Sequence, residues 1–287
     1  MLGAVLLLVL VVIPGIGIVS HGSRRWLGFG PWQFQPSEAA KLALVVFLSW
    51  YFSEDRRRAR DFLRGIIPFL GLLGLVCGLV MLQPDLGTAV ALAGTGFALL
   101  FLAGCPLSRL LALGVAAVPV LAALIFSSDY RRQRFLSFLD PWKDPLGSGY
   151  HIIQGLYALG SGGLLGVGFT QSRQKFFYLP ERHTDFIFAI LGEELGFVGA
   201  LFLLLLFALF AWRGYRVALT APDAFGALLA AGVTTMIVLQ VIVNVGVVTS
   251  TLPITGITLP FVSFGGSSLV FSLAGVGLLL NVSRSCR

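Results

Sequence analysis

The sequence predicts an all-α, polytopic integral membrane helix bundle of about eight transmembrane helices with one long extracytoplasmic loop. Three observations carry this expectation. Hydrophobic residues make up 57% of the 287 positions and charged residues only 11%, where a soluble domain carries about 25% charged residues. Apolar stretches near the roughly 20 residues needed to cross a bilayer recur along the chain. The basic residues fall between those stretches, which turns the net charge of +7 toward lipid headgroups or an anionic lipid-linked substrate and away from nucleic acid.

Eight stretches qualify, at about 1–19, 37–53, 65–83, 86–104, 107–126, 186–212, 224–248 and 264–283. The first has no basic leader and no small-residue cleavage site, so it is taken as a span and not a secretory signal. The third and fourth are parted only by Gln83-Pro84-Asp85-Leu86-Gly87. Residues 127–184 form the one extended segment between spans. It holds Pro141, Trp142, Pro145, Tyr150 and a glycine-rich run from Gly160 to Gly168, and an ordered loop of that length is usually functional. The whole chain, 1–287, is expected to form a single membrane domain.

Orientation follows from short basic loops. Arg56, Arg57, Arg58, Arg60 and Arg64 lie in one short stretch, which places it and both termini in the cytoplasm. The opposite face then receives Arg24, Arg25 and the 127–184 loop with Arg131, Arg132, Arg134, Lys143, Arg173, Lys175 and Arg182. Long loops cross largely regardless of charge, and an anionic substrate would account for this surplus. The three cysteines, Cys77, Cys105 and Cys286, show neither a pairing framework nor metal spacing.

Ionisable groups inside spans are costly and mark function by default. They are Glu38 and Lys41 near the start of the second stretch, Asp85, and Asp185, Glu193 and Glu194 around the start of the sixth. Asp185 suits a helix cap or a general base. Trp26 suits an interfacial belt or a substrate groove. Glu193 and Glu194 suit structural pairing between helices, and Asp85 beside Pro84 suits a cap or turn. Gly265-Gly266-Ser267-Ser268 suits anion binding at a helix start or close helix packing. Gly160–Gly166 lacks the Lys-Ser/Thr ending and the preceding strand of a phosphate loop. His183 and Asp185 lack a nucleophile elbow, which excludes a serine hydrolase. Asp85 and Asp185 lack the sequence context of an intramembrane aspartyl protease.

Three segments carry a resemblance. They are Gly22-Ser23-Arg24-Arg25-Trp26-Leu27 with Gln35-Pro36-Ser37-Glu38 and Lys41, then Tyr178-Leu179-Pro180-Glu181 through His183-Thr184-Asp185-Phe186-Ile187-Phe188, then Leu259-Pro260-Phe261-Val262-Ser263-Phe264-Gly265-Gly266-Ser267-Ser268. Together they resemble the SEDS family of cell-wall glycan polymerases, over essentially the whole chain. Gln174-Lys175-Phe176-Phe177-Tyr178 and Gly192-Glu193-Glu194-Leu195-Gly196 are more similar to the division and sporulation branch (FtsW, SpoVE) than to the elongation branch (RodA). The family plan has two more spans ahead of the first one seen here.

The resemblance implies processive glycosyl transfer between molecules of lipid II, an undecaprenyl-pyrophosphate-linked disaccharide pentapeptide, at the outer face of the bacterial cytoplasmic membrane. It implies a catalytic carboxylate at Asp185. Substrate contacts are then expected from Trp26, Lys41, Arg131, Lys175, His183, Thr184, Ser263, Gly265, Gly266 and Ser267, with Glu38, Glu193 and Glu194 in support. The family's motif lysine lies beside the catalytic acid, so Lys41 is expected within about 4 Å of Asp185 or one water away. The chemistry agrees: a carboxylate can accept the proton of an attacking sugar hydroxyl, and cations such as Lys175, Arg131, Arg132 and Arg134 can steady a departing pyrophosphate. No metal ligand is assigned, and a divalent cation, magnesium or manganese, stays open as a cofactor. The implied partners are lipid II, membrane lipids and a class B penicillin-binding protein with one transmembrane helix, and no nucleic acid. A flippase for the same precursor and a non-enzymatic scaffold are the alternatives. A flippase needs a polar path across the membrane, whereas the charges here gather near one face.

Overall fold

The computed structural model describes residues 1–20, 23–29, 32–55, 57–175 and 183–286. Gly22, Arg56 and the stretch from Phe176 to Arg182, with its Tyr178-Leu179-Pro180-Glu181 motif, lie outside the described residues. Among those described, the helices are α1 (Leu2–Val12), α2 (Pro36–Glu54), α3 (Ile67–Met81), α4 (Leu86–Leu102), α5 (Leu107–Phe126), α6 (Asp129–Leu139), α7 (Tyr150–Gly162), α8 (Ile187–Thr220), α9 (Ala224–Val248) and α10 (Gly266–Arg284). Three short strands, β1 (Ile18–Ser20), β2 (Ser23–Phe29) and β3 (Trp32–Phe34), form an antiparallel sheet in the order β1-β2-β3 between α1 and α2.

Every apolar stretch expected to span carries a helix. Among the described residues, five segments are long and apolar enough to cross a membrane: Phe62–Met81, Leu107–Phe126, Ile187–Thr220, Ala224–Val248 and Gly266–Arg284. Leu2–Val12 and Leu86–Leu102 are shorter apolar helices, and α2 carries Glu38 and Lys41 within its 19 residues. Lipid explains surfaces that water would penalise. No residue of α5 is buried, and α8 exposes Phe202, Leu205 and Leu209. The protein is an all-α integral membrane protein.

Two expectations need correction. The first stretch is not helical to residue 19. Helix α1 stops at Val12, because Pro14 cannot continue it and Gly15 takes φ +92°. Gly17 lies so close under Val11 that a Cβ would strike the Val11 carbonyl, and the chain then turns into β1. The sixth stretch is not one continuous helix either. Within α8, Gly196 has φ 67° and ψ −169°, a region open essentially only to glycine, so the helix is broken after Leu195. The 127–184 segment contains α6, α7 and the short 3-10 turn Pro141–Lys143.

The chain groups into two compact units. The first contains Met1–Leu110, Phe210–Leu239 and Gly265–Arg287. Leu44, Leu48 and Phe52 of α2, Phe69 of α3 and Leu92 and Leu99 of α4 are wholly buried there. Glycine allows the closest approach: a Cβ on Gly232 of α9 would come within 2.8 Å of Leu99 and Val45 side-chain atoms, as expected where helices pack by van der Waals contact. The second unit contains Leu111–Leu209 and Gln240–Phe264. Its core joins Ala158 of α7, Phe186, Phe188, Ala189 and Ile190 at the start of α8, and Val241, Val247, Val248 and Leu259.

Candidate functional site

In the second unit the chain segments flanking α8 and α9 close around Asp185. Asn244, buried in α9, donates from its amide nitrogen to the Asp185 carbonyl and to the Ile257 carbonyl, both at 2.8 Å. The Asp185 carboxylate stands 3.4 Å from where a Cβ on Gly256 would sit, and Gly256 has φ +78°. A side chain there would be strained by that φ, with its Cβ in ordinary contact with the carboxylate. The two motifs that sequence separates by about 80 residues are joined directly. The Ser263 hydroxyl donates to the Thr184 carbonyl at 2.6 Å and accepts from the Leu259 N–H at 2.8 Å. The Phe264 N–H donates to the His183 carbonyl at 2.8 Å. His183 is exposed, and Thr184 and Asp185 are half-buried, so these groups open toward the surface of their unit.

Glu193 and Glu194 act on a different segment. Glu193 is 1% exposed. Its carboxylate accepts from the Ser172 hydroxyl, from the Arg173 N–H at 3.0 Å and from the Gln174 N–H at 3.3 Å. Glu194 pairs with the Lys175 ammonium at 2.7 Å, and Lys175 also donates to the Thr170 carbonyl. The two glutamates thus pin the segment that leads to residue 175. Arg131 reaches the Ser127 hydroxyl at 3.3 Å.

The glycine run of 160–168 is a packing device. Val167 and Gly168 donate from their N–H groups to the Glu193 and Glu194 carbonyls, while Phe197 and Val198 donate to those of Gly163 and Leu164. The backbones lie so close that a Cβ on Gly162, Gly166 or Gly196 would overlap main-chain atoms across the contact. The unwound turn at Gly196 therefore has its freed backbone groups satisfied by this run.

In the first unit, Lys41 and Glu38 form a buried ion pair at 2.8 Å, one helical turn apart on α2. Asp85 caps α4, accepting from the Thr88 N–H at 3.0 Å and the Thr88 hydroxyl at 2.9 Å. It also stands 3.7 Å from Arg25, whose guanidinium donates to the carbonyls of Gln83 and Pro84 at 2.9 and 2.6 Å. Arg25 and Trp26 lie on β2, and Trp26 pairs with Ile18. Gly265 caps α10 without a side-chain bond, and the Ser267 hydroxyl accepts the Gln35 N–H at 3.0 Å at the start of α2. A Cβ on Gly266 would meet nothing within 4 Å.

Sequence reasoning missed Asn244 and Gly256, since neither stands out by charge or motif. It also missed Arg25 as the partner of Asp85. Outside the spans, the Asp144 carboxyl is held below the usual range by the Ser148 N–H, the Ser148 hydroxyl and the Gly147 N–H. Burial pushes the Cys105 thiol up, against the pull of Arg109. Among the described residues, no group of three or more His, Cys, Asp or Glu side chains gathers as a metal site.

Known proteins complete the picture. The family model for FtsW/RodA/SpoVE, described as cell cycle protein, matches residues 1–287. Stage V sporulation protein E of Bacillus subtilis is 53% identical over 98% of this chain and 77% of its own length. The probable peptidoglycan glycosyltransferase FtsW of Geobacter metallireducens is 44% identical over 99% of this chain and 76% of its own. A chain from a peptidoglycan synthase complex, solved to show the structural coordination of polymerization and crosslinking, superposes with TM-score 0.81 at 37% identity, covering 98% of this chain and 79% of that one. RodA of Thermus thermophilus superposes with TM-score 0.68 at 35% identity, covering 98% and 75%. With all of its residues matched and its curated relatives on the FtsW and SpoVE side, this chain belongs to the FtsW/RodA/SpoVE family.

Proposed function

We propose that this protein is a peptidoglycan glycosyltransferase of the bacterial cytoplasmic membrane, joining lipid II units into glycan strands in division or sporulation, with Asp185 as its base. The observation that carries the activity is the similarity along nearly the whole chain to proteins named for it. The reading of Asp185 rests on its surroundings: a half-buried carboxylate next to Gly256, on a backbone clamped by Asn244.

In this reading a sugar hydroxyl of one lipid-linked unit attacks the anomeric carbon of another. The new C–O bond forms as the bond to the pyrophosphate oxygen breaks, and the lipid pyrophosphate leaves with the electron pair. Asp185 takes the hydroxyl proton. Arg131 and Lys175 meet the growing negative charge, Lys175 by exchanging Glu194 for the pyrophosphate. His183, Thr184 and Ser263 shape the rim beside the base. Trp26, Lys41, Gly265, Gly266 and Ser267 of the first unit contact substrate in this reading, with Glu38 holding Lys41. A magnesium or manganese ion would neutralise pyrophosphate; the described residues make no cluster of three His, Cys, Asp or Glu side chains for it. The superposed chain from a polymerising and crosslinking complex supports a crosslinking partner, which we take to be a class B penicillin-binding protein with one membrane helix.

The test uses purified protein and lipid II. Asp185→Asn is expected to abolish glycan polymer on a gel while lipid II movement across proteoliposomes is unchanged. Intact polymerisation with lost transport would instead identify a flippase.

A further inference from the structure

At the end of α2 remote from Glu38 and Lys41, the first unit contains a cavity of about 530 Å³, a size suited to a ligand. It lies where α2 and α4 end and α9 begins, and apolar helices of a membrane bundle end near a membrane face. Its lining is mixed. Arg57 and Arg60 are its cations, and Phe52, Leu102 and Leu228 are large apolar side chains. Ala224 and Ala227 add the first turn of α9, where helix N–H groups favour an anion.

The cations are available to a ligand. Among the described residues neither Arg57 nor Arg60 forms an ion pair. Arg60 is fixed by main-chain bonds on both sides: its Nε donates to the Gly104 carbonyl at 3.3 Å, and its own carbonyl accepts from Arg109. That leaves the two terminal nitrogens of its guanidinium. The carboxylates close in sequence are engaged with backbone amides. Asp55 accepts from the Arg57 N–H at 2.9 Å, Asp61 from Leu63 and Arg64 at 2.9 and 3.0 Å, and Asp223 from Gly226 at 2.8 Å. Of the remaining neighbours, Arg58 stacks on the Tyr51 ring and Glu54 is exposed.

We propose that this cavity binds the phosphate headgroup of an anionic phospholipid, held by Arg57 and Arg60, with an acyl chain against Phe52, Leu102 and Leu228. The glycosyl transfer proposed above uses neither arginine. The ligand is amphipathic because the lining is: paired cations suit a phosphate, and the apolar side chains suit a hydrocarbon tail. Basic residues between helices at a membrane face are a recognised headgroup geometry.

The experiment incubates the full chain with mixed phosphatidylglycerol and phosphatidylcholine and measures the lipid retained by native mass spectrometry. Wild type should prefer phosphatidylglycerol by about 25-fold, roughly fivefold per arginine. Arg57→Gln with Arg60→Gln should bring the preference near parity, while Arg213→Gln with Arg216→Gln, which removes the same charge elsewhere, should leave it within about twofold of wild type. Ala227→Phe fills the cavity and keeps both charges; it should also lose the preference, and it carries the test if the arginine variant does not fold. An unchanged preference in the folded arginine or Ala227→Phe variant, or an equal loss in the Arg213/Arg216 control, would overturn the proposal. Complete displacement by millimolar inorganic phosphate would make free phosphate the ligand and overturn the lipid assignment.

Discussion

At the residue scale, the protein's polar groups are assigned to two kinds of work. Glu193 meets two backbone N–H groups and a serine hydroxyl, and Asp85 a backbone N–H and a threonine hydroxyl, so each buried carboxylate is satisfied from its own neighbourhood. Glu38 and Lys41 differ. They are 7% and 5% exposed and neutralise each other across one turn. Removing one charge from such a pair leaves the other buried, which costs about 3–5 kcal/mol, whereas replacing both can be neutral. Lys41→Met alone should therefore lower the melting temperature clearly, and Glu38→Gln with Lys41→Met should restore most of it. If the pair also serves the reaction, the restored double variant will still make no glycan from lipid II. A stable, fully active double variant would reduce the pair to a structural role. The titratable residues of this list were legible in the sequence because charge inside an apolar run is conspicuous. Asn244 was not, since an asparagine in a span gains meaning only when its two acceptors, Asp185 and Ile257, are brought to it.

At the element scale, the break in α8 decides how the start of that helix is presented. A continuous helix from Ile187 to Thr220 is what the apolar pattern favours. Gly196 ends it because its φ and ψ are closed to other residues and because Gly166 and Leu164 press against it. Gly196→Ala should destabilise the protein by about 2 kcal/mol or more. Gly160→Ala, in the same run two residues from the clashing Gly162 but with nothing within 4 Å, should be neutral or slightly stabilising, since alanine is the better helix former. Thermal unfolding in detergent compares the two, and equal melting temperatures would remove the packing account of the glycine run. The strands before α2 were equally hidden from sequence, because Ser23–Phe29 has no clean alternation and stands between two apolar helices.

At the scale of the whole molecule, orientation is set by charge. The arginines of 57–64 and the tail should face the cytoplasm, and the α6–α7 segment should face outward. In a chain freed of its native cysteines, Leu146→Cys, at an 89% exposed position, should react with an impermeant maleimide in intact cells. Glu54→Cys should react only after permeabilisation, and the reverse pattern would invert the topology. By itself the sequence determined the solvent, the run of apolar helices, the family and the acidic residue at the head of α8. Hydropathy and contiguous motifs are local quantities, readable without coordinates. Tertiary structure alone decided that α1 ends at Val12 and α8 breaks at Gly196. It also decided that Ser263 and Phe264 fasten onto Thr184 and His183, and that Arg57 and Arg60 share a cavity with the start of α9. Each of these depends on which distant backbone comes within a few ångströms, a matter of packing that no window of sequence contains.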